Sequence, residues 1–362
     1  AFFVRIEARK LGLSAGNEDG EPSEWEDLQS GWHLVIPRAA LIVSLIAGYT
    51  PVRSATFAIF AVIVVSWFVG TPMTIERCVD AILDAVRIMV PTAILLVAVG
   101  LVVNVVTTTG LGNAFSVMIV DWADGSLMLT LILVALASLI LGMGLPVTAS
   151  YIVLATLAAP ALYDLISQSA MLEALSAPDL PSNVQAVVNL FGGDPLRALT
   201  EMPAEMRQLV RSELLDPTLV MGMLLSAHLI IFWLSQDSNV TPPVCLVAFT
   251  AAAIAGTSPM RTGLTAWKVA KGLYLVPVLF AFTPLITGTW TERILVFVFA
   301  CFGLYALAGL LQWHLEEKLN VVTAPLLLLS AFLLMWTPFG IWVHAAGSLL
   351  LIGVVSWQRI KR

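Results

Sequence analysis

LGMGLPVTAS at 141–150 and SQDSNVTPPV at 235–244 interrupt two apolar segments with glycine, proline, hydroxyl and carboxylate groups. In hydrocarbon every backbone N–H and C=O needs a partner, so such an interruption survives only where protein encloses it or where it lines a polar cavity. Each stretch therefore predicts half-helices that stop at membrane depth, with a place for an ion or a polar solute between their ends.

The rest of the chain supplies the apolar setting. Of 362 residues 59% are hydrophobic and only 12% charged, and mean hydropathy is +0.93. A soluble domain carries about 25% charged residues, so the fold class expected is an all-α polytopic membrane protein in a lipid bilayer. The net charge of −6 arises from acids gathered at 17–27 and 163–217, and no basic patch points to nucleic acid. Cys78, Cys245 and Cys301 have no CxxC spacing, and His33, His228, His314 and His344 form no metal motif. There is no GxSxG, Walker loop or dinucleotide fingerprint. No enzyme activity, no cofactor and no resident metal are expected. The opening AFFVRIEARK carries charge where a signal peptide would be apolar and lacks an initiating Met, which reads as a piece of a longer polypeptide.

Apolar runs, read against the ~20 residues that cross a bilayer, predict spans near 34–49, 55–70 and 88–109. Residues 126–163 hold two runs of about 15 residues each, short for independent spans and suited to a re-entrant hairpin with its tip at mid-membrane. A polar stretch follows to 217. Residues 218–250 form a span broken at 236–243, and further spans are expected near 266–286, 293–311, 321–336 and 339–357. In 74–87, Arg77, Asp80, Asp84 and Arg87 recur opposite Ile75, Val79, Ile82 and Val86, the pattern of an interfacial amphipathic helix. Pro91 should kink or restart it. With residue 1 on the cytoplasmic side, thirteen Lys and Arg fall on that side and five on the other, which brings the hairpin in from outside.

The chemistry of the breaks follows from helix ends. A half-helix leaves unpaired carbonyls at its C-terminus, which suit a cation, and unpaired N–H groups at its N-terminus, which suit a carboxylate. Gly142 and Gly144 permit a tight reversal, Pro146 fits the first turn of the second arm, and Thr148 and Ser150 add hydroxyls. Asp237, Ser238, Asn239 and Thr241 offer oxygens, while Pro242 and Pro243 remove donors and keep the helix from closing. Together they could enclose a cation with about five or six oxygens. An ionisable Asp237 at membrane depth is costly and marks function. Blander readings are a tight turn, a Pro-kinked helix and a capping aspartate. An intramembrane enzyme pairing Asp237 with His228 is disfavoured, since nine residues at ~100° each place them on opposed helix faces.

LGMGLPVTASYIVLATLAAPAL, followed by AHLIIFWLSQDSNVTPPVCLVAFTAAAIAGTSPMRTGLTAWK, closely resembles the fused membrane subunit of TRAP transporters, particularly the TAXI type with its DctM-like large subunit. The span LLVAVGLVVNVVTTTGLG resembles the one before the hairpin in that family. The resemblance implies the C-terminal half of a permease: the second inverted repeat of an elevator-type ion transporter, with extra C-terminal transmembrane helices. It implies that sodium as coupling ion and an organic-anion (carboxylate) substrate meet at Gly142, Gly144, Pro146, Thr148, Asp237, Ser238, Asn239, Thr241 and Pro242. It also implies a periplasmic solute-binding protein and the N-terminal half of the same permease as partners, and a bacterial or archaeal cytoplasmic (inner) membrane. The segments then read as a cytoplasmic linker (1–33), scaffold helices (34–73), an arm helix with a third scaffold span (74–125) and the re-entrant hairpin (126–163). A periplasmic insertion (164–217), the broken span with its following helix (218–290) and C-terminal transmembrane helices (291–362) complete the chain. The insertion is longer than the family connection, and docking of the binding protein is one expectation for it. A divalent-anion/sodium symporter without a binding protein is the nearest alternative.

Overall fold

The computed structural model describes residues 2–11, 31–68, 72–243, 245–335 and 340–361. The acidic stretch at 17–27, most of the expected linker, and Val244 in the second break lie outside the described residues. The chain forms two compact units, residues 14–97 and residues 1–13 with 98–362.

In the unit of 14–97, a 3-10 turn at Trp32–Leu34 leads into α2 (Val35–Ile46), and α2 pairs with α3 (Pro51–Phe68). Gly48 turns the chain between them at φ +86°. Next comes α4 (Ile75–Thr109), whose residues 75–97 belong to this unit and 98–109 to the other. The expected restart at Pro91 does not occur, because α4 is one helix of 35 residues running through it.

In the larger unit Gly110, at φ +70°, turns the chain into α5 (Leu111–Trp122). This helix lies tightly along the hairpin. The Ser116 hydroxyl donates to the Leu157 carbonyl at 2.7 Å, and a Cβ on Gly112 would stand 2.9 Å from the Thr156 carbonyl. The hairpin consists of α6 (Leu127–Gly142), capped by Ser126, and α7 (Val147–Leu175). At 1.5 Å per residue α6 rises about 24 Å, short of the ~30 Å hydrocarbon core, whereas α7 rises about 43 Å. The second arm therefore does not end at 163. It continues to Leu175, because Met171 and Leu175 keep an apolar face past the polar Asp164 and Ser167.

Residues 176–216 fold as a cap of α8 (Ser182–Leu190), α9 (Pro195–Glu201) and α10 (Ala204–Leu214). Its core joins Val188, Leu199, Met202 and Val210 to Met171 and Leu175 of α7 and to Met223 of α11 (Pro217–Ser235). Each such side chain taken out of water contributes roughly 1.5–3 kcal/mol. Asp164 of α7 adds an ionic tie, accepting from Arg207 Nη1 at 3.0 Å and from Arg211 Nη2 at 2.5 Å. The cap is thereby fastened to the hairpin arm and the broken span.

After α11, capped by Asp216, a 3-10 turn (Gln236–Asn239) and a non-helical stretch lead to α12 (Leu246–Ile254). The span expected at 266–286 starts earlier and comprises α13 (Pro259–Val269), a 3-10 turn (Ala270–Tyr274) and α14 (Val276–Phe282), together one apolar stretch long enough to cross a membrane. Leu154 and Leu162 of α7, Val134 of α6 and Ile230, Ile231 and Leu234 of α11 form the central core.

The last three helices, α15 (Trp290–Gln312), α16 (Thr323–Met335) and α17 (Gly340–Lys361), pack on one another. Thr289 and Glu292 close a capping box at the start of α15, the expected product of a T-x-x-E sequence. A Cβ on Gly303 would stand 2.6 Å from Met335, and one on Gly347 2.9 Å from Leu334, the close approach that small residues give membrane helices. Part of the expected linker is itself a docked helix, α1 (Phe2–Lys10). Phe3 and Ile6 are buried in the C-terminal core, Gln312 Nε2 donates to the Phe3 carbonyl at 2.8 Å, and Arg9 meets Glu316 at 2.5 Å.

Among the described residues six helical stretches are long and apolar enough to cross a membrane: α3, α7, α11 with its 3-10 turn, α13 through α14, α15 and α17. Helices α2, α6 and α16 are shorter and apolar. The protein is an all-α polytopic membrane protein.

Candidate functional site

The two interruptions singled out in the sequence touch. The 3-10 turn at 236–239 packs against both arms of the hairpin. Gly142, the last residue of α6, is buried there, and a Cβ on it would lie 3.2 Å from both the backbone nitrogen and Oγ of Ser238. Two helix C-termini, of α6 and of the 3-10 extension of α11, are thus brought together, and unpaired carbonyls at such ends carry partial negative charge.

Asp237 is 1% exposed. Its Oδ2 accepts a hydrogen bond from the Tyr274 hydroxyl at 2.8 Å, and that hydroxyl in turn accepts from Trp267 Nε1 at 3.3 Å. Its backbone carbonyl accepts from the amides of Val240 and Thr241, at 3.0 and 2.9 Å. Among the described residues the other carboxylate oxygen, Oδ1, and the buried Ser238 hydroxyl meet no well-aligned donor or acceptor, and the buried Thr241 hydroxyl interacts with the Asp237 carboxylate itself. Burying an oxygen without a donor is costly. Oxygens gathered in this way within five consecutive residues are what a desolvated cation would satisfy.

The ten residues expected at the site divide by environment. Gly142, Ser150, Asp237, Ser238 and Thr241 are buried, and the Ser150 hydroxyl also lacks a partner. Asn239 Nδ2 is turned to Gln236 Oε1 at 3.2 Å. Pro242 faces α13, where a Cβ on Gly263 would meet its ring at 3.2 Å and Cys245 Sγ at 2.6 Å. Gly144 and Thr148 are exposed, with Pro146 between them as the N-cap residue of α7. Pro146 gives the start of α7 no side-chain cap, and a helix N-terminus has the polarity that favours an anion. Cation-favouring carbonyl ends and an anion-favouring amide end thus lie on the two sides of one tip.

Tyr274 and Trp267 were not among the residues singled out in the sequence. The only signal for them is position, since the segment after the break packs back on it. The pairing of Asp237 with His228 does not form. His228 Nδ1 lies 3.1 Å from the Tyr151 hydroxyl on α7, while the carboxylate is held by Tyr274.

Comparison with protein families matches residues 1–286 to the model described as "Tripartite ATP-independent periplasmic transporter, DctM component". Neither the curated proteins nor the solved structures give a match.

Proposed function

The chain belongs to the DctM family of tripartite ATP-independent periplasmic transporter components, and from that premise we propose that the paired breaks couple a cation to the inward movement of an organic anion. As a member it is a multi-pass membrane permease of a TRAP transporter. The family implies association with a periplasmic binding protein and a small subunit.

The observation that carries the proposal is the apposition of Gly142 and Ser238 beside three buried oxygens, Asp237 Oδ1, Ser238 Oγ and Thr241 Oγ1. Neutral hydroxyls and carbonyls beside one carboxylate suit sodium, which needs a cage of oxygens and no change of protonation. The substrate is a carboxylate, received at the uncapped start of α7, where Thr148 is exposed. A companion first repeat would complete the enclosure, and an elevator-like movement of the hairpin and broken span would carry the site across an inner membrane. No covalent chemistry is required of the chain.

The cap is proposed as a face for the periplasmic binding protein. Asp179, Asp194, Glu205 and Glu213 are exposed on it, Glu201 pairs with the exposed Arg197 at 2.9 Å, and Arg207 and Arg211 are drawn inward to Asp164. Its surface is therefore acidic and calls for a basic face on the partner. The test of the whole reading is uptake of a panel of radiolabelled carboxylates into proteoliposomes carrying the full permease and its binding protein. Uptake that requires an inward sodium gradient supports it. Uptake indifferent to sodium removes the coupling role.

A further inference from the structure

A groove between α7 and α11 runs from the cap to the hairpin tip. Two cavities open along it, one of about 290 Å³ lined by Thr148, Tyr151 and Phe232, the other of about 650 Å³ lined by Thr156, Tyr163 and Arg211. His228 borders both. On α7 the lining positions 148, 151, 155, 159 and 163 recur at helical spacing, so one face of the helix forms one wall throughout. Along that wall Thr148, Tyr151, Thr156 and Tyr163 carry hydroxyls, with Ala155 and Ala159 between them.

Both ends of the groove favour negative charge. At the cap end two guanidinium groups share the single carboxylate of Asp164, and Arg211 is only 2% exposed, held over the Tyr163 ring at 4.2 Å. One positive charge there is uncompensated by a buried partner. Glu205 also borders the outer cavity, but it is exposed, and water and salt screen it more than the buried arginine. At the tip end lie Thr148 and the uncapped amides of α7. Between them the 3.1 Å contact of Tyr151 with His228 crosses the groove.

We infer that this groove is an access path for a carboxylate anion, with Arg211 as its receiving charge at the cap end and the Tyr151–His228 contact as the constriction before the tip. The inference rests on the organic-anion reading above. The anion would pass from a buried guanidinium to helix-terminal amides, two sites that recognise the same group by the same polarity.

The test is made on the full permease with a cysteine at Thr156 or Leu224, both on the wall of the outer cavity. Modification rates are compared for an anionic sulfonate and a cationic trimethylammonium methanethiosulfonate of similar size, each normalised to its rate with a free thiol, with the parent protein as background. The expected result is a preference of about fivefold or more for the anionic reagent. It should be lost in Arg211→Gln, kept in Arg211→Lys, and reduced by saturating carboxylate substrate. Equal rates, a cationic preference, or no reaction with either reagent would overturn the inference. Labelling needs no transport, so the two readings fail separately. Wild-type uptake of carboxylates without any labelling preference removes the groove alone. An anionic preference in a protein that takes up no carboxylate removes the transport reading.

Discussion

Gly142 at the end of the first hairpin arm and Ser238 in the broken span stand so close that a methyl group on the glycine would come within 3.2 Å of both the amide nitrogen and the hydroxyl oxygen of the serine. The contact joins the two halves of the proposed cation site, and its tightness is specific to one glycine. A Cβ on Gly144, two residues on, would meet nothing within 4 Å.

Gly142→Ala should therefore separate tip from break by a few tenths of an ångström. Overpacking of this kind costs about 1–3 kcal/mol, which corresponds to roughly a fivefold or greater rise in the sodium concentration for half-maximal uptake. Gly144→Ala should stay within twofold of wild type. The pair is read by sodium titration of uptake, and equal effects of the two substitutions would contradict the account.

Tyr274→Phe removes the O–H that holds Asp237 Oδ2 while keeping the ring. A hydrogen bond to a charged group is worth about 1.5–3 kcal/mol. Sodium affinity should fall about tenfold or more, and Trp267→Phe, one bond further out at 3.3 Å, should weaken it less. The order of the two effects is the readout.

Much of this architecture is legible from residue type alone. Long apolar runs place the spans, and the Gly-Met-Gly-Leu-Pro and Asn-Val-Thr-Pro-Pro interruptions place the two breaks where helix continuity does fail. What escapes is whatever depends on a distant partner. Asp164, Ser167 and Gln168 make α7 look finished, although Met171 and Leu175 carry its apolar face on into the cap core. Arg5, Arg9 and Lys10 make α1 look like a linker, although Phe3 and Ile6 share its buried face. Tyr274 reads as an ordinary aromatic in an apolar span, because nothing local shows that the chain turns back to bring it 2.8 Å from Asp237.

The cap depends on an ionic tie as well as on its core. Asp164→Asn leaves Arg207 and the buried Arg211 without their carboxylate, and losing charge-assisted hydrogen bonds of this part-buried kind costs about 1.5–3 kcal/mol. Protease sensitivity within 176–216 should rise well before that of the membrane helices. An unchanged digestion pattern would mean that the apolar core alone holds the cap.

Docking of the binding protein on the acidic cap predicts that Asp179→Lys combined with Glu213→Lys, both at exposed positions, weakens binding-protein stimulation of uptake. The loss should be greatest at low ionic strength. Stimulation that is unaltered at every salt concentration would move the docking face elsewhere.

The docking of α1 should depend on pH. Burial opposes ionisation of Glu316, but its hydrogen bond and charge contact with Arg9, helped by Tyr305 and Arg359, more than offset this and hold the carboxyl below the usual glutamate value. A depressed folded pKa contributes stability that is present above the unfolded value and lost as pH falls through the folded one. Hydrogen exchange in residues 2–10, corrected for intrinsic rates, should accelerate as the pH drops below the ordinary glutamate range. Glu316→Gln should show the same acceleration at neutral pH, and exchange unaffected by either change would contradict the tie.

The most direct measurement is the sodium-dependent shift in melting temperature of the purified full permease, with potassium as control, in wild type, Asp237→Ala and Thr241→Ala. Ligand bound only by the folded state raises stability with its concentration. The account predicts a sodium-specific rise in the wild type that is abolished by Asp237→Ala and reduced by Thr241→Ala. A rise of the same size in all three proteins would place the cation site away from these breaks.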